Sequence, residues 1–432
     1  MNFAESTQYL YSLGNEVSAM KLGLENIRTL LAALGNPENN YLKVQIAGTN
    51  GKGSVCAFLD SICVTAGIKT GTFTSPHLVS ITERVRINGV DISEDAFAGH
   101  ATTVRETAES LLENDEIEYR PTFFEQVTAI ALVAFAEAKV ELAILETGLG
   151  GRLDATTAVN AEMAAITSIS IDHQEYLGET LDKIAAEKGA IILQHSVAII
   201  GEQKQEVMDV LLERCREVGV IPSTECEASV WAVDMANNSA VTSFRTKLGL
   251  YDDPNLGLKG RHQIENARIA VMAAEALRFD FGLDLSADNI IDGLENARHP
   301  GRLEYQGKFL FDGAHNVAGA TALRAYLDEF VHQPITLVFG AMKDKDMTNI
   351  NEILFPKADN LILTRPNNER ALTAKQITEF LPENYDRQRV FLTETIADAI
   401  EKADDITDKD GLILVTGSLY VVGEVKGLLN NR

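Results

Sequence analysis

Cysteine is scarce in this 432-residue chain: Cys56, Cys63, Cys215 and Cys226 are all there is, and they form neither a C-x-x-C pair nor a zinc-ligand spacing. That excludes a disulfide framework and predicts reduced thiols in a cytoplasmic protein, with Cys56 and Cys63 as helix packing. Long apolar runs are missing too. Nothing approaches the ~18 residues a membrane span requires, and the N-terminus lacks a basic segment followed by an apolar core, so neither a membrane partner nor a signal peptide is expected. Positive charge is also short: 38 Lys and Arg face 63 Asp and Glu, a formal net charge of -25. Nucleic acid, which needs a basic face, is therefore not an expected partner. An acidic protein that handles anions must gather its cations locally, and Lys52, Arg84, Arg86, Arg152, Lys188 and Arg302 are the candidates.

Within the remaining composition, 45% hydrophobic and 23% charged, one stretch stands out between residues 42 and 67. A β-branched apolar run at 44–47 predicts a buried strand, and from residue 54 Val55, Phe58, Leu59 and Ile62 fall on one helical face. Between them lies Gly48-Thr49-Asn50-Gly51-Lys52-Gly53-Ser54. A strand, a glycine-rich loop and a helix start turn backbone N–H groups and the positive helix end toward phosphate oxygens. Lys52 supplies a point charge for the outer phosphates, and the Ser54 hydroxyl can hold Mg²⁺. Gly53 separates lysine from hydroxyl, a departure from the usual phosphate-loop spacing, so the bland alternative is a glycine-rich turn. The flanking strand and helix favour a nucleoside triphosphate site.

The length predicts two domains. Strands at 69–74, 140–145 and 164–171 would deliver Ser75, Glu146 and, after Asp172, His173 to one edge of a parallel sheet beside the phosphate loop. A hydroxyl, a carboxylate and an imidazole there suit Mg²⁺, which takes few protein ligands and keeps waters. Residues 83–89 read as a strand ending in an Asn-Gly turn. The run Gly148-Leu149-Gly150-Gly151 looks like part of a dinucleotide fingerprint, but Leu153 stands where its third glycine belongs and no helix pattern follows. A helix carries Glu187 and Lys188, and residues 230–260 predict a small antiparallel sheet. An apolar helix at 267–277 follows, for which His262 and Asn266 have the simple reading of caps. Organisation restarts around Arg298-His299-Pro300-Gly301-Arg302, which divides the chain into domains 1–297 and 298–432. Strands at 309–311, 335–339, 361–363, 390–392 and 412–415 then alternate with helices, one of them at 373–381, predicting a second parallel sheet. Its strand ends carry Asp312-Gly313-Ala314-His315-Asn316 and Thr416-Gly417-Ser418.

Taken together, GTNGKGS (48–54), TSPHL (74–78), ERVRING (83–89), LETGLGGRLDAT (145–156), SISIDH (168–173), AAEKGAI (185–191), HPGRLE (299–304), DGAHN (312–316) and TGSLY (416–420) resemble the folylpolyglutamate synthase/dihydrofolate synthase family of Mur ligases. The resemblance covers nearly the whole chain. It implies an α/β fold, with a P-loop Mur-ligase-type ATP-binding domain followed by a smaller Rossmann-like C-terminal domain and the active site between them. It implies ATP and Mg²⁺ as cofactors, dihydropteroate or a folate and L-glutamate as partners, and a monomer. Thr49, Asn50, Gly51, Lys52, Gly53 and Ser54 would hold the phosphates, and Ser75, Glu146 and His173 the metal. Asn266 would meet the adenine side, Arg302 the terminal phosphate, Asp312 the ribose, and His315 would complete the nucleotide set. Lys188 matches a lysine that is often carbamylated in the superfamily. Met20, Lys21, Leu22, Phe123, Phe124, Glu125, Leu153, Asp154 and Ala155 would meet the pterin side, with Ser418 also on the substrate side. The implied catalytic set is Lys52, Glu146, His173, Lys188 and Arg302. Rival readings are another Mur-type ligase and a nucleotide-regulated binding protein without ligase chemistry.

Overall fold

The computed structural model describes residues 1–14, 23–234, 238–382 and 385–430. Its first sheet contains β1 (Leu42–Ala47), β2 (Thr70–Phe73), β3 (Val85–Ile87), β4 (Val90–Asp91), β5 (Leu142–Glu146), β6 (Met163–Ile166) and β7 (Val197–Ile200). They lie in the order β4-β3-β2-β5-β1-β6-β7, parallel from β2 to β7, with β3 and β4 antiparallel at one edge. Successive side chains point to opposite faces, and both faces are covered. In β5, Leu142 and Ile144 join Val44, Phe58 and Ile62 in one apolar layer. Ala143 and Leu145 join Phe73, Val127 and Phe135 in the other. Registers pair Phe73 with Leu145, Ile46 with Glu146 and Ala47 with Ile166. The strands therefore stop nearly level, and the loops after β1, β2, β5 and β6 leave from one edge.

Three expectations need correction here. β6 ends at Ile166, short of the expected 171, because the backbone beyond it turns to strap the phosphate loop. Thr49 donates its N–H to Ser168 O at 2.9 Å, and Ile169 donates to Gln203 Oε1 at 3.0 Å, so neither remains in a ladder. Glu83 and Arg84 belong to a 3-10 turn, Ile81–Arg84, rather than to the expected strand. The Glu83 carboxylate accepts N–H groups of Leu78, Val79 and Ser80 at 2.8 Å each and bends the chain before β3. The apolar helix starts at His262 and runs to Phe279, so His262 opens it and Asn266 lies inside it, and neither caps it.

A three-stranded antiparallel sheet, β8 (Glu227–Asp234), β9 (Ser239–Arg245) and β10 (Leu250–Tyr251), lies where the turn-rich sequence placed it. The third sheet contains β11 (Glu304–Gln306), β12 (Phe309–Phe311), β13 (Ile335–Phe339), β14 (Asn360–Leu363), β15 (Val390–Leu392) and β16 (Leu412–Thr416), in the order β11-β12-β16-β13-β14-β15. All its pairings are parallel except β11 with β12, a hairpin turned at Gly307 (φ 58°) that is not expected from the sequence. The expected helix at 373–381 is one α-turn, Ala374–Ile377, followed by a 3-10 turn, Thr378–Phe380. The closing helix, Leu419–Asn430, touches the first sheet's loops. At Gly423 it comes so close to the Leu78 carbonyl that a side chain would collide with it. All four cysteines are buried and unpaired. Among the described residues no helix is long and apolar enough to cross a membrane.

Candidate active site

The level strand ends and the third sheet enclose a cavity of about 500 Å³. On its floor is the phosphate loop, from Gly48 to the start of the helix Lys52–Thr65. The loop is fixed by the segment after β6: Thr49 Oγ1 donates to Ser170 O at 3.0 Å, Asn50 Nδ2 to Ser170 Oγ at 3.3 Å, and Thr167 Oγ1 to Asn50 O at 2.7 Å. Gly51 takes φ 90°, a left-handed conformation that glycine adopts without cost, and stands against the Asn266 amide, so any Cβ would displace it. Asn266 is held in turn by donating to Gln263 Oε1 at 2.8 Å. Lys52 folds back over the loop, its Nζ 3.3 Å from the carbonyls of Gly48 and Thr49. Ser54 Oγ lies 3.3 Å from His299 Nδ1, and a Cβ on Gly53 would meet the same imidazole.

Ser75, Glu146, His173 and Lys188 line the same cavity. Burial pushes the Glu146 carboxyl up, opposed by Lys52 and by the Ser75 N–H, which donates to Oε2 at 3.1 Å. No Lys, Arg or His among the described residues lies within ion-pair distance of Glu146. Burial also lowers His173 to about 4, which leaves its imidazole neutral at pH 7 and able to act as a ligand. Lys188 is lowered to about 7, first by burial and then by the Lys52 ammonium. Among the described residues no three His, Cys, Asp or Glu side chains cluster as a metal cage. A buried carboxylate outside any such ion pair, lining one cavity with a neutral imidazole and a hydroxyl, nevertheless fits a cation such as Mg²⁺ that keeps several of its waters.

One wall is apolar, made by Phe124, Leu149, Leu153 and Ala155, with Glu125 and Asp154 at its margins. A Cβ on Gly148 would run into the Phe124 ring, so glycine there lets the ring lie close against the loop. Asp154 turns inward: it accepts N–H groups of Leu149 at 2.9 Å and Thr156 at 3.0 Å, capping the 3-10 turn Ala155–Val159. Glu125 forms a capping box with Thr122 at the start of the helix Phe123–Ala138. Phe123 does not reach the cavity. It is buried under Tyr11, ring centroids 5.8 Å apart, and under the Arg84 guanidinium. Met20, Lys21 and Leu22 lie outside the described residues.

The third sheet supplies the roof: Arg302, Asp312, His315 and Ser418. Asp312 accepts N–H groups of Leu303 at 3.1 Å and Ala314 at 3.0 Å, which ties the Arg302 turn to the end of β12. His315 Nδ1 donates to Gly313 O at 2.8 Å, leaving Nε2 toward Asp172. Of the six candidate cations, Lys52, Lys188 and Arg302 line the cavity. Arg86 pairs with Asp91 at 2.7 Å and lines a second cavity of about 450 Å³ that meets the first at Gly53, Ser75, Glu146 and Arg302. Arg152 is exposed and paired with Glu187, and Arg84 donates to His77 Nδ1 at 2.8 Å. Lys345 and Arg370, also on the roof, are not among the candidates taken from the sequence. Lys345 does carry a signal there, since Gly340-Ala341-Met342-Lys343-Asp344-Lys345 follows the end of a parallel strand.

A family model described as the Mur ligase middle domain matches residues 46–274, and the Mur ligase, glutamate ligase domain matches 301–419. A Bacillus subtilis dihydrofolate synthase/folylpolyglutamate synthase is 33% identical over 417 residues, 94% of this chain and 95% of the relative. The chain belongs to the folylpolyglutamate synthase/dihydrofolate synthase family of Mur ligases. Solved structures agree with this ligase over its full length. A Mycobacterium tuberculosis folylpolyglutamate synthase complexed with ADP superposes with a TM-score of 0.91 at 32% identity, covering 100% of this chain and 98% of the other. A bifunctional folylpolyglutamate synthase/dihydrofolate synthase with Mn, AMPPNP and L-glutamate bound gives 0.84 at 28% identity, covering 100% and 98%.

Proposed function

We propose that this ligase joins L-glutamate to dihydropteroate and to reduced folates that already carry glutamate, using ATP and Mg²⁺. The observation that carries the reading is the single cavity in which a phosphate loop, a buried carboxylate and an apolar wall face one another beneath Arg302. A carboxylate does not condense with an amine at neutral pH. The γ-phosphate must first convert it to an acyl phosphate, which the glutamate amine attacks with loss of phosphate. Transfer of a phosphoryl group to an oxyanion depends on positioning and charge neutralisation more than on covalent help. Lys52 would hold the outer phosphates from the floor, and Arg302 would face the migrating phosphoryl group from the roof. Mg²⁺ held by Ser75, Glu146 and His173 would supply further neutralisation. Asn266 would meet the adenine side, and Asp312, which already orders the Arg302 turn, would stand near the ribose. The roof and floor would belong to two domains that divide near residue 298, and their closure would exclude water from the acyl phosphate.

For the acceptor, the Phe124 ring and Leu153 offer an apolar face on which a pterin ring would stack. Asp154 would act there chiefly by shaping the 149–156 loop, because its oxygens already accept hydrogen bonds from that loop. Purified protein should form dihydrofolate from dihydropteroate, glutamate and ATP, and should also extend tetrahydrofolate. Asp154→Ala should impair the first reaction more than the second. Glutamate-dependent ADP release with tetrahydrofolate but none with dihydropteroate would leave a dedicated folylpolyglutamate synthase. ATP turnover without either acceptor, and no amide product, would favour a nucleotide-regulated binding protein.

A further inference from the structure

Asn316 stands where three chain segments meet. Its side-chain oxygen accepts the Gly319 N–H at 2.8 Å and caps the helix Val317–Phe330. Its amide nitrogen donates to Asn50 Oδ1 in the phosphate loop and to Asp172 Oδ2 after β6, both at 3.0 Å. The other oxygen of Asp172 accepts from Lys345 Nζ at 2.9 Å. Two groups on the roof thus reach down to one carboxylate on the floor, and one of them also holds the phosphate loop. The junction is largely covered by protein: Asn316 is 6% exposed, and the Lys345 and Asp172 side chains 9% and 11%. Lys345 is the ammonium in direct hydrogen-bond contact with the Asp172 carboxylate.

Helix capping does not account for the choice of residue. Serine, threonine or aspartate would cap as well, since a cap needs only an acceptor oxygen. What asparagine adds to the capping oxygen is an amide nitrogen with two hydrogens, and here both cross the cleft. Hydrogen bonds of this kind form only when floor and roof are together, so whatever orders Asn50 favours closure, and closure in turn tightens binding at the loop.

We propose that the Asn316–Asp172–Lys345 junction is the positioning element that locks the third-sheet roof onto a nucleotide-loaded phosphate loop. Resting on the ligase reading, its consequence is that the acyl phosphate meets an amine instead of water. Asn316→Ser and Asn316→Asp keep the cap and remove the amide nitrogen that makes both crossing bonds, and the aspartate also sets a second carboxylate against Asp172. Lys345→Gln opens the same junction from its other arm and leaves the helix cap untouched. Small-angle scattering with AMPPNP and no acceptor should show wild-type protein becoming more compact and the variants doing so less, with Asn316→Asp the most open. Nucleotide affinity should fall by roughly tenfold, in line with losing hydrogen bonds across a buried junction. In turnover, phosphate released per amide formed should rise from one in wild type to several in the variants. Compaction equal to wild type with a ratio of one in both Asn316→Ser and Lys345→Gln would overturn the proposal. Should no acceptor yield an amide even in wild type, the ligase reading fails, while the scattering comparison still decides the lock.

Discussion

Lys188 stands where charge is hardest to keep, enclosed by protein and facing the Lys52 ammonium. Its amine titrates at about 7 in the folded chain against 10.5 as the ordinary value. Between those values the unfolded chain binds the extra proton, so stability rises with pH across the window, and the cost of burial is complete below about pH 7. In CO₂-free buffer Lys188→Met should therefore exceed wild type in melting temperature by the most below pH 7, with the gap closing toward pH 10. A neutral amine is also the form that adds CO₂. We expect a carbamate on Lys188, seen as a labelled carbonyl signal after ¹³C-bicarbonate exchange and absent in Lys188→Met; a wild-type spectrum without it would make Lys188 a plain phosphate-facing lysine. Lys52→Ala should lower ligation by about a thousandfold or more while leaving the melting temperature near wild type, as loss of a preorganised charge predicts. Undiminished turnover at saturating ATP would refute the phosphate-loop role. Glu146, His173 and Asp312 could be picked out from the sequence because each ends a parallel strand or follows one in a loop, the first two at the edge of the first sheet and Asp312 after β12 of the third. The burial of Phe123 could not, because adjacent positions at a helix start point about 100° apart, and only Phe124 turns to the cavity.

At the level of single elements, glycines in helices separate propensity from packing. Gly99 lies in the helix Glu94–Glu113 with open space where a Cβ would go. Gly99→Ala should stabilise the protein by roughly 0.5–1 kcal/mol, the backbone-entropy difference between the two residues. Gly423, in the helix Leu419–Asn430, has the Leu78 carbonyl in that place. There the same substitution should destabilise by about 1–3 kcal/mol through overpacking, which outweighs the helical gain. Urea titrations of both variants would check the opposite signs, and a stabilised Gly423→Ala would refute the tight contact. Strands with both faces covered are easy to read because they are mostly apolar, as in β5 and β13. The short edge strand β11 leaves no such trace, since only its pairing with β12 makes it a strand. The early end of β6 is equally hidden, because hydrogen bonds to a distant loop decide it.

For the molecule as a whole, the proposed reaction asks the roof for charge as well as for closure. Arg302 approaches from the roof, and its charge bears on both Asp312 and Glu146. Arg302→Ala should lower kcat by about a hundredfold, the scale of one lost electrostatic partner in the transition state, and weaken nucleotide binding far less. A variant in which only the KM for ATP rose would place Arg302 in binding alone.

All four cysteines lie before residue 298, on the floor side of the cleft, and none belongs to the third-sheet part. Burial raises each thiol pKa, so the folded protein should resist alkylating reagents at neutral pH. Their positions make them internal clocks. Cys56 and Cys63 lie on the phosphate-loop helix, and Cys226 lies in the same apolar layer, whereas Cys215 packs in the layer on the opposite face of β6 and β7. The rate at which each thiol becomes reactive then times the loosening of its own part of the molecule, and it does so without any introduced label.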